Sequence, residues 1–184
     1  MFPVNLQTQW YNADFFALDE NLSNWLLDEN SLTARLKKCC QQFRVQLLGQ
    51  QIEPCHPKEA NQDIKAGEKV LVREVLLLCD DKPHVFARTL IPLRSLTGVD
   101  SQLADLGEQS LGQFLFNQPQ LCRKDIEISM FDKHSPVYSL VLAYQLPDKK
   151  ELWGRRSVFM LGEKPLMVAE VFLPGAYAYN EEKK

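Results

Sequence analysis

Residues 70–92 constrain the fold most. Two apolar runs, Val70-Leu-Val-Arg-Glu-Val-Leu-Leu-Leu-Cys79 and His84-Val-Phe-Ala-Arg-Thr-Leu-Ile-Pro92, flank the short polar stretch Asp80-Asp-Lys-Pro83. Density in Val and Leu marks strands buried on at least one face. Asp-Asp-Lys-Pro is a turn signal, so the segment is expected to fold as an antiparallel hairpin. A second hairpin is expected where Val158–Leu161 and Leu166–Leu173 flank Gly162-Glu-Lys-Pro165. Asp125–Met130 and Val137–Leu146 also read as extended strands.

Helical spacing surrounds these strands. Leu18, Leu22, Trp25 and Leu26 predict a short amphipathic helix near 19–28. Asn30 and Ser31 offer a cap to a second stripe, Leu32, Leu36, Cys40 and Phe43. Leu103–Leu106 reads as a short helix, and Ser110-Leu-Gly-Gln113 has capping-box form at the head of Leu111–Phe116. Gln50–Glu68 is polar, carries two prolines and reads as a loop. With 184 residues and no internal repeat, the chain is expected to form one α+β domain over 1–184. That domain is an antiparallel β-sheet of five to seven strands flanked by helices, with a frayed tail at 180–184.

The net charge of −3 gives no global basic field, which argues against nucleic acid as a partner. Any anion must be held by a local cluster. The five cysteines are odd in number, two are adjacent (Cys39 and Cys40), and none form a CxxC pair. This pattern argues against a disulfide framework or a zinc site and fits thiols in a reducing compartment. His56, His84 and His134 are scattered without metal-ligand spacing, so no metal is expected. No dinucleotide, phosphate-loop, zinc-protease or serine-hydrolase motif occurs. No signal-peptide pattern and no run of membrane-spanning length is visible, so the expected location is the cytoplasm, without stable membrane insertion.

Three features could carry chemistry. Arg73 and Arg88 interrupt the two apolar runs. With a two-residue turn on Asp80-Asp81 they would face the same side, directly opposite each other, and like charges so placed need compensation. An internal ion pair would supply it, and so would an anionic ligand; arginine holds a carboxylate with two parallel hydrogen bonds. Glu170, inside Leu166-Met-Val-Ala-Glu-Val-Phe-Leu173, is either an arginine's structural partner or an acid/base group. The helix starts at Ser31-Leu32-Thr33 and Ser110-Leu111-Gly112 present free amides, which can cap or bind anions. Arg155-Arg156 reads as a solvated basic turn.

Seven short motifs occur in order: Trp25-Leu-Leu, Asn30-Ser-Leu-Thr33, Val72-Arg-Glu-Val75, Ala87-Arg-Thr89, Ser110-Leu-Gly-Gln-Phe-Leu-Phe116, Leu152-Trp-Gly-Arg-Arg-Ser157 and Pro165-Leu-Met-Val-Ala-Glu-Val-Phe-Leu-Pro174. From about Leu18 to Pro174 the chain resembles the bacterial chorismate pyruvate-lyases. The resemblance implies a lyase that eliminates pyruvate from chorismate to give 4-hydroxybenzoate, the first committed step of ubiquinone biosynthesis. It implies a monomer with no cofactor and a buried site under flaps, for which residues 50–68 and the segment around Leu32 are the candidates. It also implies that Arg73, Glu170 and the backbone amides of Leu32 and Leu111 hold the ligand. In this reading Arg73 and the two amides take the ring carboxylate and Glu170 moves the proton. Arg88 is expected to meet the enolpyruvyl carboxylate. An enclosed aromatic product implies product inhibition, with flap opening limiting turnover.

Two departures accompany the resemblance. Leu32 stands where the best-known members carry Met, and the stretch between Ile128 and Leu152 is longer than theirs. Two other readings stand beside it. One is an effector-sensing domain of a transcription regulator, a class that usually carries an N-terminal DNA-binding domain for which few residues precede Trp25. The other is a lyase acting on a different aromatic precursor.

Overall fold

The structure is a computed structural model that describes residues 2–180. Eight strands form one antiparallel sheet: β1 (Tyr11–Asn12), β2 (Phe43–Pro54), β3 (Lys69–Cys79), β4 (Lys82–Pro92), β5 (Leu121–Arg123), β6 (Glu127–Phe131), β7 (Leu152–Leu161) and β8 (Lys164–Phe172). Their order is β1-β6-β7-β8-β4-β3-β2, with β5 pairing β7 beside β6. Four helices accompany them: α1 (Glu20–Leu26), α2 (Leu32–Cys39), α3 (Leu111–Phe116) and α4 (Tyr138–Ala143). The expected α+β architecture and both hairpins are present.

The β3–β4 hairpin turns on Asp80 and Asp81, both at positive φ (49° and 62°), the backbone of a two-residue turn matched to strand twist. Its register then breaks. Leu77 pairs with Val85 but Leu78 pairs with Pro83, so His84 is an extra residue on β4. Every residue after it changes face. Arg73 therefore lies opposite Thr89, and Arg88 lies opposite Glu74. The expectation that Arg73 and Arg88 share a face is corrected by this bulge.

Each face of the sheet carries two apolar clusters. On one face, α1 and α2 pack Leu22, Leu26 and Leu36 on Val75, Val85 and Phe172. Farther along that face, α3 and the 3-10 segment Gly98–Asp105 pack Leu103, Leu111 and Leu115 on Leu71, Ile91 and Phe159. On the other face, the N-terminal residues Val4 and Leu6 and helix α4 cover Leu76, Phe86 and Val171. Cys55 and Ile64 cover Val70, Val72 and Leu90 there.

Three local expectations change. Val137–Leu146 is not a strand: its apolar residues place Val137, Tyr138, Leu140 and Val141 on one buried helical face, forming α4. The second helix ends at Cys39, because Asp80 accepts hydrogen bonds from the amides of Gln41 and Gln42 and draws the chain into β2, where Phe43 is the first residue. Gln50–Pro54 extends β2 instead of starting a loop. The expected frayed tail falls largely on residues 181–184, outside the described residues.

Candidate active site

Between the two clusters on the α1–α3 face, the sheet bears polar residues. Its cross-strand pairing orders them. Arg73 on β3 is followed by Thr89 on β4 (with apolar Ala87 next to it on the same face), Glu170 on β8, Arg155 on β7 and Arg123 on β5. All of them line one cavity, whose walls include Val75, Leu77, Val168 and Phe159. The backbones of Arg73 and Glu170 are two strands apart, roughly 10 Å at ordinary strand spacing. Their side chains bracket a space suited to a small ring.

Arg73 is 2% exposed and has no carboxylate partner among the described residues. Nη2 donates to the carbonyls of Gly107 and Gln109, both at 2.9 Å, while Nε is buried without an acceptor. Burial pushes its pKa down to about 10. A fixed, under-bonded cation of this kind has the chemistry to hold an anion.

Glu170 pairs with Arg155, whose Nε donates to Oε2 at 2.7 Å. Arg155 Nη1 donates to the carbonyls of Trp25, Leu26 and Asp28 at the end of α1, and so fixes the carboxylate from behind. Arg155 is 1% exposed in β7; the expected solvated turn is corrected, because β7 runs straight through it. Arg123 is the second guanidinium without an acidic partner among the described residues. Its Nε donates to Ser157 Oγ at 3.0 Å and its Nη1 to Glu29 O at 3.1 Å, with the group over the Phe159 ring. Burial and the charge of Arg155 push its pKa down to about 10. The cavity thus holds three guanidinium groups and one carboxylate, a balance suited to a dianion.

Two helix starts roof the cavity. Ser31 caps α2 at the Ala34 amide, and Ser110 caps α3 at the Gln113 amide, both at 3.2 Å. These caps leave the amides of Leu32 and Leu111 without an acceptor among the described residues. Only half of the expected capping box forms, because the Gln113 side-chain carbonyl accepts from Lys37 on α2. Thr33 Oγ1 meets Ser110 Oγ at 2.8 Å, closing the roof. Gly112 permits this approach: a Cβ there would stand 3.0 Å from Thr33 Oγ1.

Arg88 is not in the cavity. It is 1% exposed on the opposite face, with Nε 2.6 Å from Glu59, Nη1 2.8 Å from Glu74 and Nη2 2.9 Å from Glu53. Burial alone would lower its pKa; these three carboxylates outweigh it and hold the group above its ordinary range. The same geometry corrects residues 50–68 as a flap. Through Glu53 and Glu59 that segment is anchored on the face away from the cavity. The segment around Leu32 does lie over the site.

Sequence reasoning singled out Arg73, Glu170, Leu32 and Leu111, and the structure brings all four to the cavity. It missed Arg155 and Arg123. Counting outward from the Gly162-Glu163 turn places Arg155 opposite Glu170, which was a usable signal. Arg123 lies on a three-residue strand without an apolar context, and nothing local marked it.

No helix of the described residues is long and apolar enough to cross a membrane. Solved structures under 25% identical share the fold. The C-terminal domain of the histidine utilization repressor from Pseudomonas syringae aligns with TM-score 0.56 at 12% identity, covering 78% of this chain and 98% of that one. A GntR-family transcriptional regulator from Bacillus cereus aligns with TM-score 0.54 at 14% identity, covering 78% and 98%. Sequence relatives are closer. A probable chorismate pyruvate-lyase of Psychromonas ingrahamii is 44% identical over 180 residues, 96% of each chain. One from Pseudoalteromonas translucida is 40% identical over 179 residues, 97% of this chain and 98% of that one. Residues 5–184 match the family described as chorismate lyase, and the chain belongs to that family.

Proposed function

We propose that the cavity eliminates pyruvate from chorismate to give 4-hydroxybenzoate for ubiquinone synthesis, with Arg73 and Glu170 at its two working ends. The observation that carries the reading is Arg73, buried at 2% exposure with no carboxylate partner among the described residues. Such a group costs stability unless an anion arrives. Arg73 and the amides of Leu32 and Leu111 receive the ring carboxylate, at the end of the cavity where the two helix starts meet.

Glu170 lies beyond the ring, toward the carbon that bears the hydroxyl. Loss of enolpyruvate from the neighbouring carbon and of a proton from this one aromatises the ring. The reaction is strongly downhill, so positioning and charge supply most of the acceleration. The Glu170 carboxylate, aimed by Arg155, accepts that proton, and the expelled enolate takes up one proton at its methylene carbon to become pyruvate, so no net proton is gained or lost once Glu170 returns its own. The Thr33–Ser110 bond keeps the roof shut during the step and must open for the aromatic product to leave. In this reading the protein works as a cytosolic monomer.

Incubation of the purified protein with chorismate, followed by absorbance for 4-hydroxybenzoate and by a coupled assay for pyruvate, tests the reading. Equimolar appearance of both is expected. Chorismate binding without either product would make the cavity a sensor's, like those of the regulators that share the fold.

A further inference from the structure

The cavity has a second cation with no ion-paired acid among the described residues, and its position has a chemical meaning. Along the sheet the order is Arg73, Glu170, Arg155, Arg123, on strands β3, β8, β7 and β5. Arg155 is neutralised by Glu170 at 2.7 Å. The guanidinium groups without a direct carboxylate partner among the described residues are therefore Arg73 and Arg123, on opposite sides of the candidate base. Arg123 lines the cavity, and its hydrogen bonds to Ser157, Asp28 and Glu29 use Nε and Nη1 and leave Nη2 without an acceptor among the described residues. The Phe159 ring, 4.9 Å away, holds the guanidinium plane in place.

We infer that Arg123 is the recognition residue for the enolpyruvyl carboxylate of the substrate, the role the sequence assigned to Arg88. The inference rests on the reading above. If the ring carboxylate is at Arg73 and the reacting carbons face Glu170, the ether side chain projects beyond Glu170, and Arg123 is the cation on that side without an ion-paired carboxylate among the described residues. The consequence is selective. Chorismate carries this carboxylate and 4-hydroxybenzoate does not. Arg123 therefore contributes to substrate capture and not to product retention, whereas Arg73 contributes to both.

The test compares Arg123→Met and Arg123→Lys with wild type, each checked for a native melting transition. For Arg123→Met, kcat/KM for chorismate should fall at least 30-fold while the dissociation constant of 4-hydroxybenzoate stays within threefold. Arg123→Lys should recover part of the loss, because the charge is kept. Pyruvate, tested as a weak competitive inhibitor, should lose its effect on Arg123→Met. Equal weakening of substrate and product in both variants would make Arg123 a support for the Asp28–Glu29 segment and overturn the inference. So would unchanged kcat/KM in Arg123→Met. Failure of the underlying reading is distinct, because wild type itself would then form no 4-hydroxybenzoate.

Discussion

Replacing Arg73 with methionine should impair function severely while sparing the fold. The guanidinium has no counter-ion among the described residues, and burial moves its pKa down to about 10. A displacement of that size corresponds to about 3 kcal/mol of folding free energy lost while the group is charged. The folded state holds this proton less tightly than the unfolded chain does. The cost is thus complete below about pH 10 and fades only as pH climbs above that value toward arginine's ordinary range. Hydrogen bonds to the Gly107 and Gln109 carbonyls return roughly 1 kcal/mol each. Arg73→Met should therefore match wild type in stability or exceed it by about 1 kcal/mol, a melting temperature about 2–4 °C higher for a chain of this length. Activity should move the other way. Truncating a buried, hydrogen-bonded charge at a recognition site costs about 2–5 kcal/mol, so kcat/KM should drop by roughly 30- to 5,000-fold. Thermal melts with and without 4-hydroxybenzoate, beside absorbance kinetics, give both numbers. The wild type should be stabilised by the product and the variant should not. A variant that melts several degrees lower yet is still stabilised by product would refute the reasoning and make Arg73 a structural residue.

Three further outcomes follow from the same geometry. Glu170→Gln should lower kcat by about 10²–10⁴, the usual contribution of a positioned base, with product affinity changed only a few-fold; full turnover would reduce Glu170 to a hydrogen-bonding role. Arg88→Met strands three carboxylates around a buried position and should cost about 3–5 kcal/mol in chemical denaturation, with turnover per folded molecule preserved. Wild-type stability with lost turnover would return Arg88 to the chemistry. Thr33→Val removes the hydroxyl contact that joins the two helix starts, worth about 1 kcal/mol, and stopped-flow release of 4-hydroxybenzoate should quicken by roughly fivefold. An unchanged release rate would show that the roof opens elsewhere.

Much of this was legible from the chain alone. A charge in an apolar strand, as at Arg73 and Glu170, is conspicuous because burial makes it costly, and both reach the cavity. Serine ahead of an apolar helical stripe marked the starts of α2 and α3. What stayed hidden depends on register. The bulge at His84 leaves no signature in the strand sequence, yet it decides which arginine faces the cavity. Val137–Leu146 reads as an alternating strand, and packing of Val137, Tyr138, Leu140 and Val141 against the N-terminal residues selects the helix instead. Arg123 is marked by tertiary placement alone, at the far end of the cavity.

The extra residue at His84 also governs how this hairpin can vary in length. Exposed turns ordinarily accept insertions and deletions freely. This one, although Asp81 at its tip is exposed, cannot gain or lose a single residue without exchanging the contents of the two faces. Such a slip would turn Arg88 into the cavity and leave Glu53 and Glu59 facing each other without a cation. Changes in steps of two preserve the parity. Frame shifts of one residue at this turn are therefore closed to natural variation and to engineering alike.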